Sequence, residues 1–297
     1  MGHQSMRWAE GFITADWGTT NRRAYRIGAS GACEDEVEDG KGVLSVGAGE
    51  FPDAVSEIRE RLGDLPLLLA GMIGSNRGWV EAPYVRCPAG IDDLANSLAK
   101  AGERELIVPG VSYVGEDRAD VMRGEEVQLL GAVCDGEVPP DALVCHPGTH
   151  NKWALVEGGR IMSFRTVMTG EIFNLLRKHS ILSDLLEGDS EPGDAFQRGV
   201  RHALANTDLT SELFAVRARV LLKEAAREDA ASYTSGLLIG SDVRVGLGDG
   251  AGEVHVMGRP ELTRLYAAAI REAGGEAIEL DGEQSFLSGI RAIATRI

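Results

Sequence analysis

Aromatic residues make up only 5% of the 297-residue chain, and cysteine is limited to Cys33, Cys87, Cys134 and Cys145, none in a Cys-x-x-Cys spacing. This scarcity argues against a zinc site and against a secreted disulfide framework, so a reducing cytoplasm is the expected compartment. No stretch approaches the roughly 18 consecutive apolar residues of a membrane span. The opening MGHQSMRWAE has no basic region followed by an apolar run, so neither a signal peptide nor a spanning helix is expected. Positive charge is also short: 30 Lys and Arg face 46 Asp and Glu, a net charge of −16. Such a surface repels nucleic acid and anionic membranes and requires any anionic ligand to be held by a locally basic site. What is plentiful is glycine, 38 residues, within a composition of 43% hydrophobic and 26% charged residues that can bury a core. The length predicts two domains.

Along the chain, GFITADWG (Gly11–Gly18) reads as a strand, and a Gly-Thr-Thr-Asn turn leads to a second strand, RRAYRI. DAVSEIRERL after Pro52 is an amphipathic helix, and LPLLLAG is a buried strand closing on Gly71. Gly71–Gly90 is rich in Gly, Pro and polar residues, a candidate ligand loop. A helix over IDDLANSLAKAG, a strand ELIVPGV and a helix over Asp120–Val133 follow, before the linker Asp135–Asp141 breaks the pattern. The second half then rebuilds the opening: strand, turn, strand, Gly-Gly turn, strand. Helical patterns cover Glu171–Leu186, Ala195–Ala205 and Glu212–Arg227, followed by a Gly-rich stretch, the strand EVHVMG, a helix from Pro260 and a last helix near Gln284–Ile297. The expected class is mixed α/β.

The repeat carries the most information. D-W-G-T-T-N-R-R-A-Y from Asp16 aligns with H-P-G-T-H-N-K-W-A-L from His146 at a constant offset of 130 residues. Gly18/Gly148, Thr19/Thr149, Asn21/Asn151 and Ala24/Ala154 are identical, and Arg22/Lys152 are both basic. Repetition on this scale suggests duplicated domains. Glycine lets the backbone approach closely, so a Gly-Thr turn can aim main-chain N–H groups and hydroxyls at an anion. As single turns, Gly, Thr and Asn are also ordinary hairpin chemistry. At matching positions in two halves they point to polyphosphate binding.

Other nucleotide signatures are absent or fail on context. No G-x-x-x-x-G-K-[ST] occurs. Gly246-x-Gly248-x-x-Ala251 precedes a strand instead of joining strand to helix, and reads as a flexible connection. His146 and His150 enclose Pro147 and Gly148, so they cannot share a helix face as metal ligands do.

D-W-G-T-T-N-R-R, G-M-I-G-S-N-R-G-W-V-E-A-P-Y, D-V-M-R-G-E-E-V-Q, H-P-G-T-H-N-K-W and M-T-G-E-I-F together resemble the 2-dehydro-3-deoxygalactonokinase family, over about Phe12 to the C-terminus. That family looks like a branch of the actin/hexokinase/Hsp70-type phosphotransferases. The resemblance implies two duplicated ribonuclease-H-like domains, here 8–140 and 141–297, with an ATP cleft between them. It also implies transfer of a phosphoryl group from ATP to the 6-hydroxyl of 2-dehydro-3-deoxy-D-galactonate in galactonate breakdown.

By the same resemblance Asp16 would organise Mg²⁺, with Gly18, Thr19 and Thr20 on the terminal phosphates and Gly148, Thr149 and His150 on the opposite side. His146 stands where many members carry a second acid. EVHVMGRPEL resembles the adenosine-binding element, with Gly258, Glu261 and Leu262. Glu125, next to Gly124, resembles the base position of related sugar kinases, with Asp120 a close competitor and Glu126 a third carboxylate. A sugar acid needs cations and hydroxyl-bonding groups, which Arg23, Ser75, Asn76, Arg77 and Trp79 offer, Arg77 first for the carboxylate. Arg123 and Arg165 are weaker candidates. The expected partners are ATP and a sugar acid, with a homodimer left open. A kinase of another sugar, a noncatalytic sugar-acid sensor and a phosphoanhydride hydrolase are the competing readings. The sensor is disfavoured by available carboxylates and the lack of a basic helix-turn-helix pattern.

Overall fold

The computed structural model describes residues 8–248, 250 and 252–297. The chain divides into two compact units, one of residues 1–140, 157–163 and 283–297, the other of 141–156 and 164–282.

The first unit is built in chain order from β1 (Gly11–Trp17), β2 (Arg22–Gly28), β3 (Cys33–Asp39), α1 (Phe51–Leu62), β4 (Leu67–Gly71), β5 (Tyr84–Arg86), α2 (Ile91–Ala95), β6 (Ala99–Lys100), β7 (Glu105–Ile107), β8 (Gly110–Val114), β9 (Ala119–Met122) and α3 (Glu125–Asp135). The second begins with β10 (Ala142–His146) and β11 (Asn151–Glu157), and β12 (Arg160–Val167) starts among the residues of the first unit and enters the second at Phe164. It continues through α4 (Thr169–His179), α5 (Asp194–Ala205), α6 (Leu209–Leu221), α7 (Ala230–Leu247), β13 (Glu253–Gly258), α8 (Pro260–Glu272) and β14 (Glu276–Asp281). The last helix, α9 (Gly282–Ala294), falls almost wholly in the first unit.

The main sheet of the first unit runs β3-β2-β1-β4-β7-β6, and that of the second β12-β11-β10-β13-β14. In each, the opening strand pairs antiparallel with the second and parallel with the fourth of its series. This is the ribonuclease-H-like order, used twice. The two hairpins differ by one step of register. Asp16 pairs with Arg23, whereas its counterpart His146 pairs with Lys152. Pro147, at the position of Trp17, has no N–H to give to a ladder.

Strand β4 is buried along its whole length and its neighbour β1 nearly so, as strands covered on both faces must be, and both read as near-continuous apolar runs. Helix α1 places Phe51, Ala54, Val55, Ile58 and Leu62 on one buried stripe, with a proline in its first turn and Gly63 at φ 101° closing it. These side chains join Ile13, Ala15, Trp17, Leu67, Leu69 and Ile73 in one core. In the second unit, Phe196, Val200, Ile239, Val243, Val254, Val256 and Ile270 form the corresponding core.

Several stretches depart from the sequence expectation. The helix expected over IDDLANSLAKAG is only α2, followed by the short strand β6, and the glycine-rich stretch expected after Arg227 is largely helix α7. Asp120 lies on strand β9, opposite Tyr113 on β8, and the helix begins only at Glu125. Gly246 is not in a flexible connection but inside α7, where a Cβ would lie 2.0 Å from the Trp153 indole. Ala251 and the first seven residues, which carry part of the fingerprint and leader readings, lie outside the described residues.

Candidate active site

The parallel strands of each unit end together, and ligand-facing loops of open α/β sheets lie beyond such carboxyl ends. In the first unit, Trp17 at the end of β1 is paired with Gly71 at the end of β4. The turn that follows β1 is closed by Gly18 N–H donating to Asn21 O at 2.9 Å. Its carbonyls are taken from behind: Val43 N–H donates to Gly18 O, Leu44 N–H to Thr19 O and Gly42 N–H to Thr20 O, at 3.0, 3.2 and 3.0 Å. A trans peptide points its N–H opposite to its C=O. The amides of Thr19, Thr20 and Asn21 therefore turn away from that support, on a segment whose residues 19–21 are exposed. Main-chain N–H groups set out in this way can receive an anion.

Asp16 stands at the foot of the turn, half-buried. Burial and the neighbouring Glu125 carboxylate push its carboxyl up to about 6, with Arg23 pulling the other way. Two glycines permit this meeting. Gly71 (φ 91°) lies so close that a Cβ would sit 2.9 Å from Trp17 O and 3.3 Å from Asp16 Oδ1, and a Cβ on Gly124 (φ 104°) would be 3.2 Å from Gly71 Cα. Glu125 opens α3 and accepts Arg123 N–H at 3.1 Å. Glu126 is fully buried and both its oxygens accept Gly124 N–H, at 2.9 and 2.7 Å. Burial, reinforced by Glu125, pushes Glu126 up to about 8. Asp120 keeps different company, facing Arg118 at 3.8 Å on the small β5-β8-β9 sheet.

Among the described residues no group of three or more His, Cys, Asp or Glu could hold a metal. Mg²⁺ keeps most of its waters and takes one or two carboxylates plus substrate phosphates. Asp16, crowded by a second carboxylate at the foot of the turn, fits that role, because a divalent cation relieves the repulsion.

The loop after β4 folds back on itself: Trp79 N–H donates to Ile73 O and Ala82 N–H to Gly74 O, both at 2.9 Å. The Ser75 hydroxyl is occupied by the turn, donating to Met72 O at 2.7 Å and accepting Arg77 N–H at 3.3 Å. Trp79 packs partly buried against the core. Asn76 and Arg77 are exposed at the tip. Arg23 is held between Glu38 and Glu283, at 3.0 and 3.1 Å. Arg22, its neighbour, is a buried structural cation bound to Asp39 and to Ala54 O. Arg123 is buried, stacked 4.4 Å over Tyr84 with one N–H donating to Ala82 O at 2.8 Å. Arg165 is exposed on β12.

The second turn has the same design with different support. Glu171 N–H donates to Thr149 O at 2.9 Å, and a Cβ on Gly170 would be 2.5 Å from Gly148 O. The N-terminal end of α4 thus lies directly beneath the turn, where its dipole favours an anion. Thr149 and His150 are exposed, and His150 is paired with Glu171. Gly258, ending β13, packs on this turn, since a Cβ there would be 3.3 Å from Pro147 O. Glu261 and Leu262 follow at the start of α8, exposed and half-buried.

Three supports of these turns escaped the sequence reading: Gly42, Gly170 and Asp242. A Cβ on Gly42 would lie 2.4 Å from the backbone of Thr19 and Thr20. Asp242, 1% exposed, accepts from Asn151, Trp153, Thr169 and Tyr266. The available signal was a lone acid inside the otherwise small and apolar run GLLIGSDV.

A family model described as 2-keto-3-deoxy-galactonokinase matches residues 16–293. The chain belongs to this family. A 2-dehydro-3-deoxygalactonokinase of Escherichia coli K12 is 36% identical over 289 residues, covering 95% of this chain and 97% of that protein. A Rhizobium meliloti protein that carries the same name provisionally is 34% identical, covering 96% and 97%. A crystal structure from Sinorhizobium meliloti, likewise provisionally named, superposes with a TM-score of 0.90 at 33% identity, covering 95% of this chain and 98% of that one. Family membership thus extends to both turns and to the loop after β4.

Proposed function

We propose that this chain is a cytoplasmic kinase that transfers the γ-phosphoryl group of ATP to the 6-hydroxyl of 2-dehydro-3-deoxy-D-galactonate, serving galactonate breakdown. The observation that carries this reading is the meeting of Asp16 and Glu125 beside an amide-lined turn. Phosphoryl transfer asks for little covalent chemistry from a protein and much positioning and charge stabilisation.

In this reading the amides of Thr19 and Thr20 hold the terminal phosphates of ATP. Gly148, Thr149 and His150 contact phosphate from the second unit, and Gly258, Glu261 and Leu262 border the adenosine. Asp16 would hold Mg²⁺, and the ion would supply charge neutralisation at the phosphates. Glu125 accepts the proton of the 6-hydroxyl as that oxygen bonds to the γ-phosphorus and the bond to the β-γ bridging oxygen breaks, leaving ADP. Asp120, turned toward Arg118 on another sheet, is the weaker base. Arg77 is free to meet the acceptor carboxylate, with Asn76 beside it. Arg23, Ser75 and Trp79 shape the pocket from positions already tied into the fold.

Coupled ADP release with the galactonate- and gluconate-derived 2-keto-3-deoxy acids and a panel of neutral sugars tests the reading. The expected result is Mg²⁺-dependent turnover fastest with the galactonate-derived acid. Turnover with a neutral sugar alone would overturn the acceptor assignment, and no turnover with any acceptor would overturn the kinase reading.

A further inference from the structure

Helix α7 carries one carboxylate into the interior of the second unit. Asp242 lies among Gly236, Leu237, Leu238, Ile239, Gly240 and Val243, all buried, and is itself 1% exposed. A buried carboxylate is costly unless its lone pairs are filled. Here four donors from three other elements fill them. The Trp153 indole N–H donates to Oδ1 at 2.7 Å, and the Asn151 amide donates to both oxygens at 3.1 and 3.0 Å. The Thr169 and Tyr266 hydroxyls both donate to Oδ2 at 2.5 Å. The free oxygen of the Asn151 side chain in turn accepts from the Cys145 thiol at 3.6 Å.

The sources of these donors matter more than their number. Asn151 is the first residue of β11, immediately after the turn Gly148–His150. Thr169 immediately precedes Gly170, which lies under Gly148, and Glu171, whose N–H holds Thr149 O. The turn is therefore gripped on both flanks by residues bound to one carboxylate. Tyr266 sits on α8, the helix whose first turn holds Glu261 and Leu262. The same carboxylate thus fixes the spacing between the phosphate turn and the adenosine helix.

We infer that Asp242 is a positioning residue for nucleotide: it sets the second phosphate turn and the adenosine-side helix at the separation a bound ATP requires, touching neither substrate. This rests on the reading of that turn and helix as nucleotide-binding. The Trp153 and Asn151 N–H groups can only donate, whereas the Thr169 and Tyr266 hydroxyls can rotate to accept. Asp242→Asn can therefore remake a bond to each partner in altered geometry and is expected to fold.

The test is calorimetric titration of ADP into the full-length Asp242→Asn protein, with steady-state kinetics for both substrates. The expected result is ADP affinity weakened about tenfold or more, a matching rise in the KM for ATP, and a KM for the sugar acid within about twofold of wild type. Unchanged ADP affinity, or equal changes toward both substrates, would overturn the inference. Should Asp242→Asn not fold, Thr169→Val and Tyr266→Phe each cut one arm. Each should weaken ADP several-fold, and normal ADP affinity in both would overturn it. Because ADP binding needs no acceptor, wild-type protein that binds ADP yet phosphorylates no sugar acid would count against the proposed reaction and leave this inference standing.

Discussion

Two adjacent carboxylates at the start of α3 have opposite fates. Glu125 is half-exposed and faces Asp16 across Gly71 and Gly124; Glu126 is sealed in, its oxygens on the Gly124 amide. Glu125→Gln should lower kcat by about 10²–10⁴-fold, the usual contribution of a general base, with ATP affinity little changed. Asp120→Asn should stay near wild type, and the reverse pattern in steady-state rates would transfer the base role to Asp120. Glu126 gives a pH prediction instead. Its folded value of about 8 stands above the ordinary 4.5, so between those values the folded state holds a proton that the unfolded state has released. Stability therefore falls as pH rises through that window, and the loss is complete above it. Urea unfolding at several pH values should show this decline in wild type and a shallower one in Glu126→Gln; identical slopes would contradict it. None of this proximity could be read from the sequence. The meeting of Asp16 and Glu125 depends on two left-handed glycines 53 positions apart, at 71 and 124.

At the scale of elements, each of the two Gly-Thr turns rests on a glycine from another segment, Gly42 beneath the first and Gly170 beneath the second. Gly42 has an ordinary φ of −67°, so alanine there strains no backbone, yet its methyl would strike Thr19 and Thr20. Gly170 stands in the same relation to Gly148. Overpacking of this kind costs about 1–3 kcal/mol, and spent on moving the turns it corresponds to a rise in the KM for ATP on the order of tenfold. Gly42→Ala and Gly170→Ala should both show that rise with the acceptor KM unaffected, while normal ATP kinetics would mean the turns yield without consequence. The strands β1 and β4 were legible because burial on both faces leaves near-continuous apolar runs. Helix α7 was not, because it is buried on nearly every side. Its crossing with α5 is closed by Gly199, Gly236 and Gly240, which leaves no amphipathic contrast to read. Strand β9 was hidden inside a helical period that Gly124, at φ 104°, interrupts.

For the whole molecule, duplication was the most legible feature, since the same Gly-Thr-x-Asn turn recurs at matching positions in the two halves. Its limits are also physical. The second hairpin differs from the first by one residue of register, and α9 brings Glu283 to Arg23 from the far end of the chain, neither of which a local pattern announces. The family places the chain among sugar-acid kinases, and the account here stands on one reaction. Its most direct test is to incubate the protein with ATP, Mg²⁺ and 2-dehydro-3-deoxy-D-galactonate and follow ADP together with the ³¹P and ¹³C spectra of the product. The account predicts one equivalent of ADP for each equivalent of sugar acid phosphorylated at carbon 6. ADP accompanied by free inorganic phosphate, or a phosphate on any other carbon, would contradict it.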